Sequence, residues 1–209
     1  MILLFLIAAN ARADDPLLSQ SLVKNGGFEE TRDIDLTGGY FLRPVKAGVK
    51  FSGRFIGEIP KNFDQISGKT KRLATVEGEG GKEVHSGKRA FSVDGGFFLQ
   101  DQFNAKTGET IYIRYFVKGQ GSARFILFLM NSSNQFFNQG VPNIVKVNSP
   151  DGWVKIVHKI KITAPDCHRS KVRFEGTGDL TLDDLIVLKW TKELQADVRG
   201  AVNEASLNK

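Results

Sequence analysis

Apolar and polar positions alternate along the middle of the chain, the period of a strand that buries one face. Over residues 110–118, Ile111, Ile113, Tyr115 and Val117 share one face and Tyr112, Arg114, Phe116 and Lys118 the other. Both faces carry aromatics, so the second is either covered by a loop or exposed as a platform. Over residues 153–163, Val154, Ile156, His158, Ile160 and Ile162 oppose Lys155, Lys159 and Lys161. His158 is thereby directed inward, where a lone histidine is more often a hydrogen-bonded core residue than a catalyst. Turns at Asp94-Gly95-Gly96, Lys106-Thr107-Gly108 and Gly119-Gln120-Gly121 separate strands at 97–103, 110–118 and 123–130. Further strands are expected at 39–42, 51–59, 73–76 and 180–188, with 31–37, 61–71 and 131–140 as loops. From Trp190 the period changes. Trp190, Leu194, Val198 and Val202 recur in steps of four, which predicts a short helical tail or linker over 189–209, dispensable for folding.

Composition supports the strand reading. Sixteen Phe and twenty-two Gly, against two Met, two Trp and six Pro, favour strands joined by glycine turns over a helical bundle. The length suits one domain with short appendages. Residues 1–7 are apolar and are followed by Ala8-Ala9-Asn10-Ala11-Arg12-Ala13, a small-residue spacing that a signal peptidase accepts. We therefore expect a signal peptide at 1–13, a leader at 14–21 and a secreted protein, extracellular or periplasmic; the competing reading of 1–7 is a buried strand. No other apolar run approaches a membrane span. The net charge is +6 and stays positive after loss of Arg12. In an exported chain this argues against nucleic acid and suits either an acidic polysaccharide or a plain solvated surface. Cys167 is the one cysteine, so no internal disulfide forms, and Cys167-His168 lacks the second ligand pair of a zinc site.

Two stretches carry candidate chemistry. Leu22-Val23-Lys24-Asn25-Gly26-Gly27-Phe28-Glu29-Glu30 combines a glycine-permitted turn with a core-type aromatic and two acids, and Leu182-Asp183-Asp184-Leu185 sets two more acids in an apolar strand. If the first and last strands pair, these acids meet, and Glu29, Asp183 and Asp184 become candidate ligands of a structural calcium. Around Phe136 and Phe137 the segment 131–140 is rich in amides. That mixture suits a sugar, whose ring stacks on an aromatic while its hydroxyls bond to amides, but it also suits a loop that tucks a Phe into the core. Candidate sugar contacts are Tyr40, Tyr112, Arg114, Gln135, Phe136 and Asn138. The alternating acids of a jelly-roll glycanase are absent: Glu77-Gly78-Glu79 falls in a turn, and adjacent Asp183 and Asp184 should point to opposite faces.

The order of five motifs resembles the bacterial carbohydrate-binding modules of families four, nine and twenty-two. These are Asn25-Gly26-Gly27-Phe28-Glu29, His85-Ser86-Gly87-Lys88-Arg89-Ala90, Gly108-Glu109-Thr110-Ile111-Tyr112 running to Val117-Lys118, Gly152-Trp153-Val154-Lys155, and Leu182-Asp183-Asp184-Leu185. The resemblance spans residues 22–188. It implies an all-β jelly-roll sandwich of the galactose-binding-like type, calcium held by Glu29, Asp183 and Asp184, and Trp153 in the core. It departs where the family carries a tryptophan after the first turn, since Tyr40 and Phe41 are the nearest aromatics here. The implied function is noncatalytic polysaccharide binding beside a fused or neighbouring glycoside hydrolase domain. The alternatives are a structural or adhesive sandwich without sugar affinity, and a small glycanase.

Overall fold

The computed structural model describes residues 15–37, 54–66, 70 and 72–198. The expected signal segment, Tyr40 and the strand at 39–42 lie outside the described residues. The strands are β1 (Thr31–Thr37), β2 (Arg54–Pro60), β3 (Phe63–Ile66), β4 (Arg72–Glu77), β5 (Arg89–Asp94), β6 (Gly96–Asn104), β7 (Thr110–Met130), β8 (Phe136–Gly140), β9 (Val145–Lys161) and β10 (Arg169–Lys189). Three stretches expected as loops contain strands: β1 pairs with β2 from Thr31↔Pro60 to Thr37↔Arg54, β3 pairs with β6, and β8 pairs with the end of β7.

Strands β7 and β10, 21 residues each, form one long antiparallel ribbon that folds back on itself. Tyr115 and Phe125 show the fold directly. Ten residues of straight strand would separate them by about 33 Å, yet their rings lie 4.8 Å apart. The corner is made of glycine. Gly119 and Gly121 have positive φ, and a Cβ at either would stand 1.8 or 1.9 Å from the carbonyl oxygen of Asp179 or Thr177. Only a residue without a side chain lets the two backbones meet there.

The bend turns one hydrogen-bonded network into two layers. In the first, β4, β5, the end of β10, the start of β7 and the end of β9 lie side by side; in the second, β3, β6, the start of β10, the end of β7 and β8 do so. This is a jelly-roll β-sandwich, as expected. Between the layers Phe97 stacks on Phe174 at 5.2 Å, and Phe125 lies 5.1 Å from Phe174. His158 is fully buried in this core, its Nε2 3.3 Å from the Tyr115 hydroxyl, while Nδ1 has no partner. Trp153, expected in the core, is instead half-buried on the outer face of the first layer, where its indole N–H donates to the Lys82 carbonyl.

The tail also departs from expectation. Among its described residues, which end at 198, it forms a single 3-10 turn, Lys192–Gln195, and lies on the sheet. Leu194 is buried against Tyr112, Val157, Ile186 and Leu188, with Trp190 and Val198 packed beside it. At Trp190, Leu194 and Val198 the four-residue recurrence therefore marked contact positions; Val202 lies outside the described residues. Deleting residues 191–209 uncovers this apolar face and breaks the ion pair between Arg114 and Asp197. Breaking a buried pair costs about 3–5 kcal/mol, so thermal unfolding of the truncated chain should show a large loss of stability; an unchanged Tm would restore the dispensable tail.

His158 makes the second testable point. Burial, and then the charge of Arg124, push its pKa down to about 4. An unfolded histidine titrates near ~6.5. Above that pH both states are neutral and stability is unaffected; as pH falls towards about 4 only the unfolded chain takes up the proton, so stability is lost on the acid side. The full loss is on the order of 3 kcal/mol. A His158→Leu chain should lose less stability than the wild type between pH 7 and 4, and parallel Tm–pH curves would contradict this.

Candidate functional site

The amino-terminal turn is bound to the last strand. Leu22 N–H donates to the Val187 carbonyl at 2.7 Å, and Leu185 N–H donates to the Gly26 carbonyl at 2.9 Å. This contact needs Gly26, whose Cβ would lie 1.9 Å from the Leu185 oxygen. Phe28, held at a φ of 57°, enters the core 6.0 Å from Phe91. The expected meeting of acids follows, and all three point at the loop formed by residues 85–89. Asp183 Oδ2 accepts the N–H groups of His85 and Ser86 at 2.8 and 3.1 Å. Asp184 Oδ2 lies 2.6 Å from His85 Nδ1, and its Oδ1 accepts the Ser86 hydroxyl at 2.7 Å. Glu29 Oε1 accepts the N–H groups of Lys88 and Arg89 at 2.8 and 3.2 Å.

One expectation changes here. Asp183 and Asp184 do not point to opposite faces, because a β-bulge breaks the register between Asp183 and Ile186 and holds Asp184 at a φ of 47°. The acids also accept hydrogen bonds from the 85–89 loop itself. Burial, then the neighbouring Asp184 charge, pushes the Asp183 carboxyl up, while three N–H groups hold it down. Among the described residues no three acid, histidine or cysteine side chains converge as a ligand set. The carboxylates thus fit a hydrogen-bonded clamp on the 85–89 loop better than they fit calcium.

Tyr112 and Arg114 occupy the expected outward face of β7, but the chain's own ends cover it. Tyr112 is fully buried, and its hydroxyl donates to Asp197 in the tail. Arg114, 3% exposed, pairs with Asp15 of the leader and with Asp197 at 3.3 Å. Lys155 pairs with Asp197 at 3.4 Å, and the Lys159 ammonium lies 3.5 Å from the centre of the Trp190 ring. Burial pushes the Asp197 carboxyl up, but the Tyr112 hydroxyl and the Arg114 and Lys155 charges outweigh it, and the group sits below its usual range. Two of the three lysines in the stripe read from the sequence, Lys155 and Lys159, are therefore engaged by the tail.

The outer face of the second layer differs. Phe98 on β6, Phe128 on β7 and Phe136 on β8 form a continuous row, with ring centres 4.8 and 4.7 Å apart. Arg173, from the intervening β10, places its guanidinium 5.1 Å from Phe98 and 5.8 Å from Phe128. It is oriented further by Glu175 at 2.9 Å, which also binds Arg124. Phe98 and Phe128 are half-buried supports, whereas Phe136 is 52% exposed at the end of the row and Phe137 is 37% exposed beside it. Gln139 pairs with Phe128 across β8 and so shares its face.

Of the expected sugar contacts, only Phe136 belongs to this row. Gln135 is held at the adjacent turn, its side-chain carbonyl accepting from Asn131 at 3.2 Å; Asn138 lies on the exposed edge strand, its side chain accepting the Gln139 N–H. Tyr112 and Arg114 lie on the other layer. Phe98, Phe128, Arg173 and Gln139, which share the face with Phe136, were not among the expected contacts. The sequence alone assigned none of them a face, since 131–140 was expected as a loop, and the strand order β6-β10-β7-β8 that makes them neighbours is not written in any one segment. If the acids are satisfied as described, chelating calcium leaves the Tm of the purified chain unmoved; a drop of several degrees that added calcium reverses would return the metal to Glu29, Asp183 and Asp184.

No protein-family model matches the sequence, and no curated protein matches it. Among solved structures it is similar to the CBM22-1–GH10 modules of Clostridium thermocellum xylanase 10B complexed with xylohexaose, with 19% identity over 63% of this chain and 26% of that one, at a TM-score of 0.47. It is similar to the CBM22-1 xylan-binding domain of Paenibacillus barcinonensis Xyn10C, with 13% identity over 75% of this chain and 95% of that one, at 0.42. A carbohydrate-binding module of Cellvibrio mixtus lichenase 5A in complex with cellotriose matches with 17% identity over 63% of this chain and 94% of that one, at 0.39. The chain spans about a quarter of the length of the first three solved structures it matches.

Proposed function

We propose that the protein binds a neutral polysaccharide without cleaving it, along the Phe98–Phe128–Phe136 row of the second layer. The observation that carries this reading is the exposed Phe136 ring, which packs on Phe128, itself held by Phe98 and the Arg173 guanidinium, and which is flanked by amides. A pyranose presents an apolar C–H face and a rim of hydroxyls, and it needs this combination of a ring to stack on and neighbouring donors and acceptors. A braced ring loses little freedom on binding, which favours affinity. The charges favour a neutral ligand. Arg124 and Arg173 share Glu175, and Lys155 and Lys159 are engaged by the tail on the other layer. An acidic glycan is therefore the weaker expectation.

The signal-like pattern at 1–13 supports action outside the cytoplasm, and no helix among the described residues is long and apolar enough to cross a membrane. The motif resemblance to modules attached to cellulases and xylanases supports a role beside a glycan-degrading catalytic domain. Phe136→Ala should weaken retention by neutral glucan or xylan about tenfold, ~1.4 kcal/mol, with little change in Tm. Affinity electrophoresis at two salt concentrations, with a reducing-end assay on each polysaccharide, tests this. Equal retention of wild type and variant would sink the row as the site. Salt-sensitive preference for uronate-containing chains would overturn the neutral assignment, and new reducing ends would make the protein an enzyme.

A further inference from the structure

The outer face of the first layer contains a pocket of about 540 Å³ between the sheet and the chain's two ends. Its volume lies within the range of small-molecule sites. Arg114 and Phe116 of β7 and Lys155 of β9 line it from the sheet. His85, Ser86 and Asp184 line it from the clamped loop and the bulge, and Asp15, Pro16, Leu17 and Asp197 from the leader and tail. It shares no residue with the Phe136 row.

Three features define what fits. The polar groups of the wall already have partners: Arg114 is paired with Asp15 and Asp197, Lys155 with Asp197, and Asp184 is hydrogen-bonded to His85 and to the Ser86 hydroxyl. A charged ligand would have to displace one of these pairs, whereas a neutral one would not. Second, the polar groups are fixed and of both kinds, carboxylate acceptors beside guanidinium, ammonium and hydroxyl donors. Arg114 is 97% buried as judged by its 3% exposure, yet its Nε has no hydrogen-bond partner. A buried N–H of this kind is costly to leave unmet. Third, the wall has an apolar part, since Phe116 stacks on His85 with ring centres 3.5 Å apart and Leu17 and Pro16 lie at the pocket as well.

We infer that this pocket takes one neutral polyhydroxylated ring, a single sugar unit, with its hydroxyls on the Arg114, Asp184 and Asp197 groups and its C–H face towards Phe116. The unit is either a free monosaccharide or the end of a longer chain. Adjacent hydroxyls are each donor and acceptor at once, so they can bridge a carboxylate and a guanidinium without changing the charge of either. The row on the second layer holds the middle of a polymer; this pocket, walled by the leader and tail, holds a single unit.

The test titrates the full chain with glucose, galactose, mannose, xylose and arabinose, and with glucuronate and glucosamine as charged counterparts, by ligand-observed nuclear magnetic resonance. At least one neutral sugar should bind and outbind both charged ones. Two variants assign the site: Phe116→Ala, and Pro16→Trp, which fills the pocket from an exposed rim position and leaves the core intact. Each should weaken that sugar about tenfold or more while retention on polysaccharide gels is kept. Phe136→Ala should do the reverse. A matching oligosaccharide that competes at equal or higher affinity assigns the pocket to chain ends, and competition by the free sugar alone assigns it to monosaccharide. Binding of no neutral sugar, preference for a charged one, or affinity unaffected by the Pro16→Trp substitution would overturn the inference.

Discussion

A ribbon of two 21-residue strands, about 70 Å long if straight, cannot lie flat in a domain of this size, so β7 and β10 must bend together. The bend falls where Gly119 and Gly121 face Thr177, Gly178 and Asp179, the place where two backbones can approach without Cβ atoms between them. Because the same strands serve both layers, the alternation of side chains along β7 sorts residues twice. Tyr115 and Phe125 both face inward and meet; Arg114 and Phe128 both face outward, but on opposite sides of the molecule. The two outer faces then develop different chemistry from one strand.

The first outer face carries a buried arginine, and that dictates what covers it. A guanidinium removed from water must be paired, and its partners come from both ends of the chain, Asp15 and Asp197. Apolar residues of the same segments, Leu17, Leu18, Trp190 and Leu194, close over Tyr112 and Ile186. The pairing thus anchors leader and tail to the sheet and leaves a walled pocket between them. The second outer face has no such cover among the described residues. There Arg173 lies between Phe98 and Phe128, and Phe136 remains open at the sheet's edge.

Local periodicity made much of this legible. The alternation of 110–118 and 153–163 placed Ile111, Ile113, Tyr115, Ile156, Ile160 and the inward His158 correctly, because each strand buries one continuous face. The pairing of the amino-terminal turn with the last strand was legible from Gly26 and the acids at either end. What alternation could not supply was long-range order. It did not show that 110–118 and 123–130 are one strand, that a bulge would turn Asp183 and Asp184 towards the same loop, or that Lys155 and Arg114 would find Asp197 some forty or more residues later in the chain. Nor could it show Phe98, Phe128 and Phe136 as neighbours, since the strand between the first two, β10, comes last. Trp190 and Leu194 show the converse: their spacing matched a helix, while the shape of the sheet decided what they touch.

The account's central claim is that the phenylalanine row of the second layer is where a polymer lies. The most direct measurement is a titration of the chain, carrying isotope-labelled phenylalanine, with a neutral oligosaccharide that it retains, followed through the aromatic resonances. The account predicts progressive shifts at Phe136 and Phe128, smaller ones at Phe98, and none at Phe97 or Phe174 in the core. Saturable binding that moves other phenylalanines and leaves Phe136 and Phe128 unchanged would contradict it.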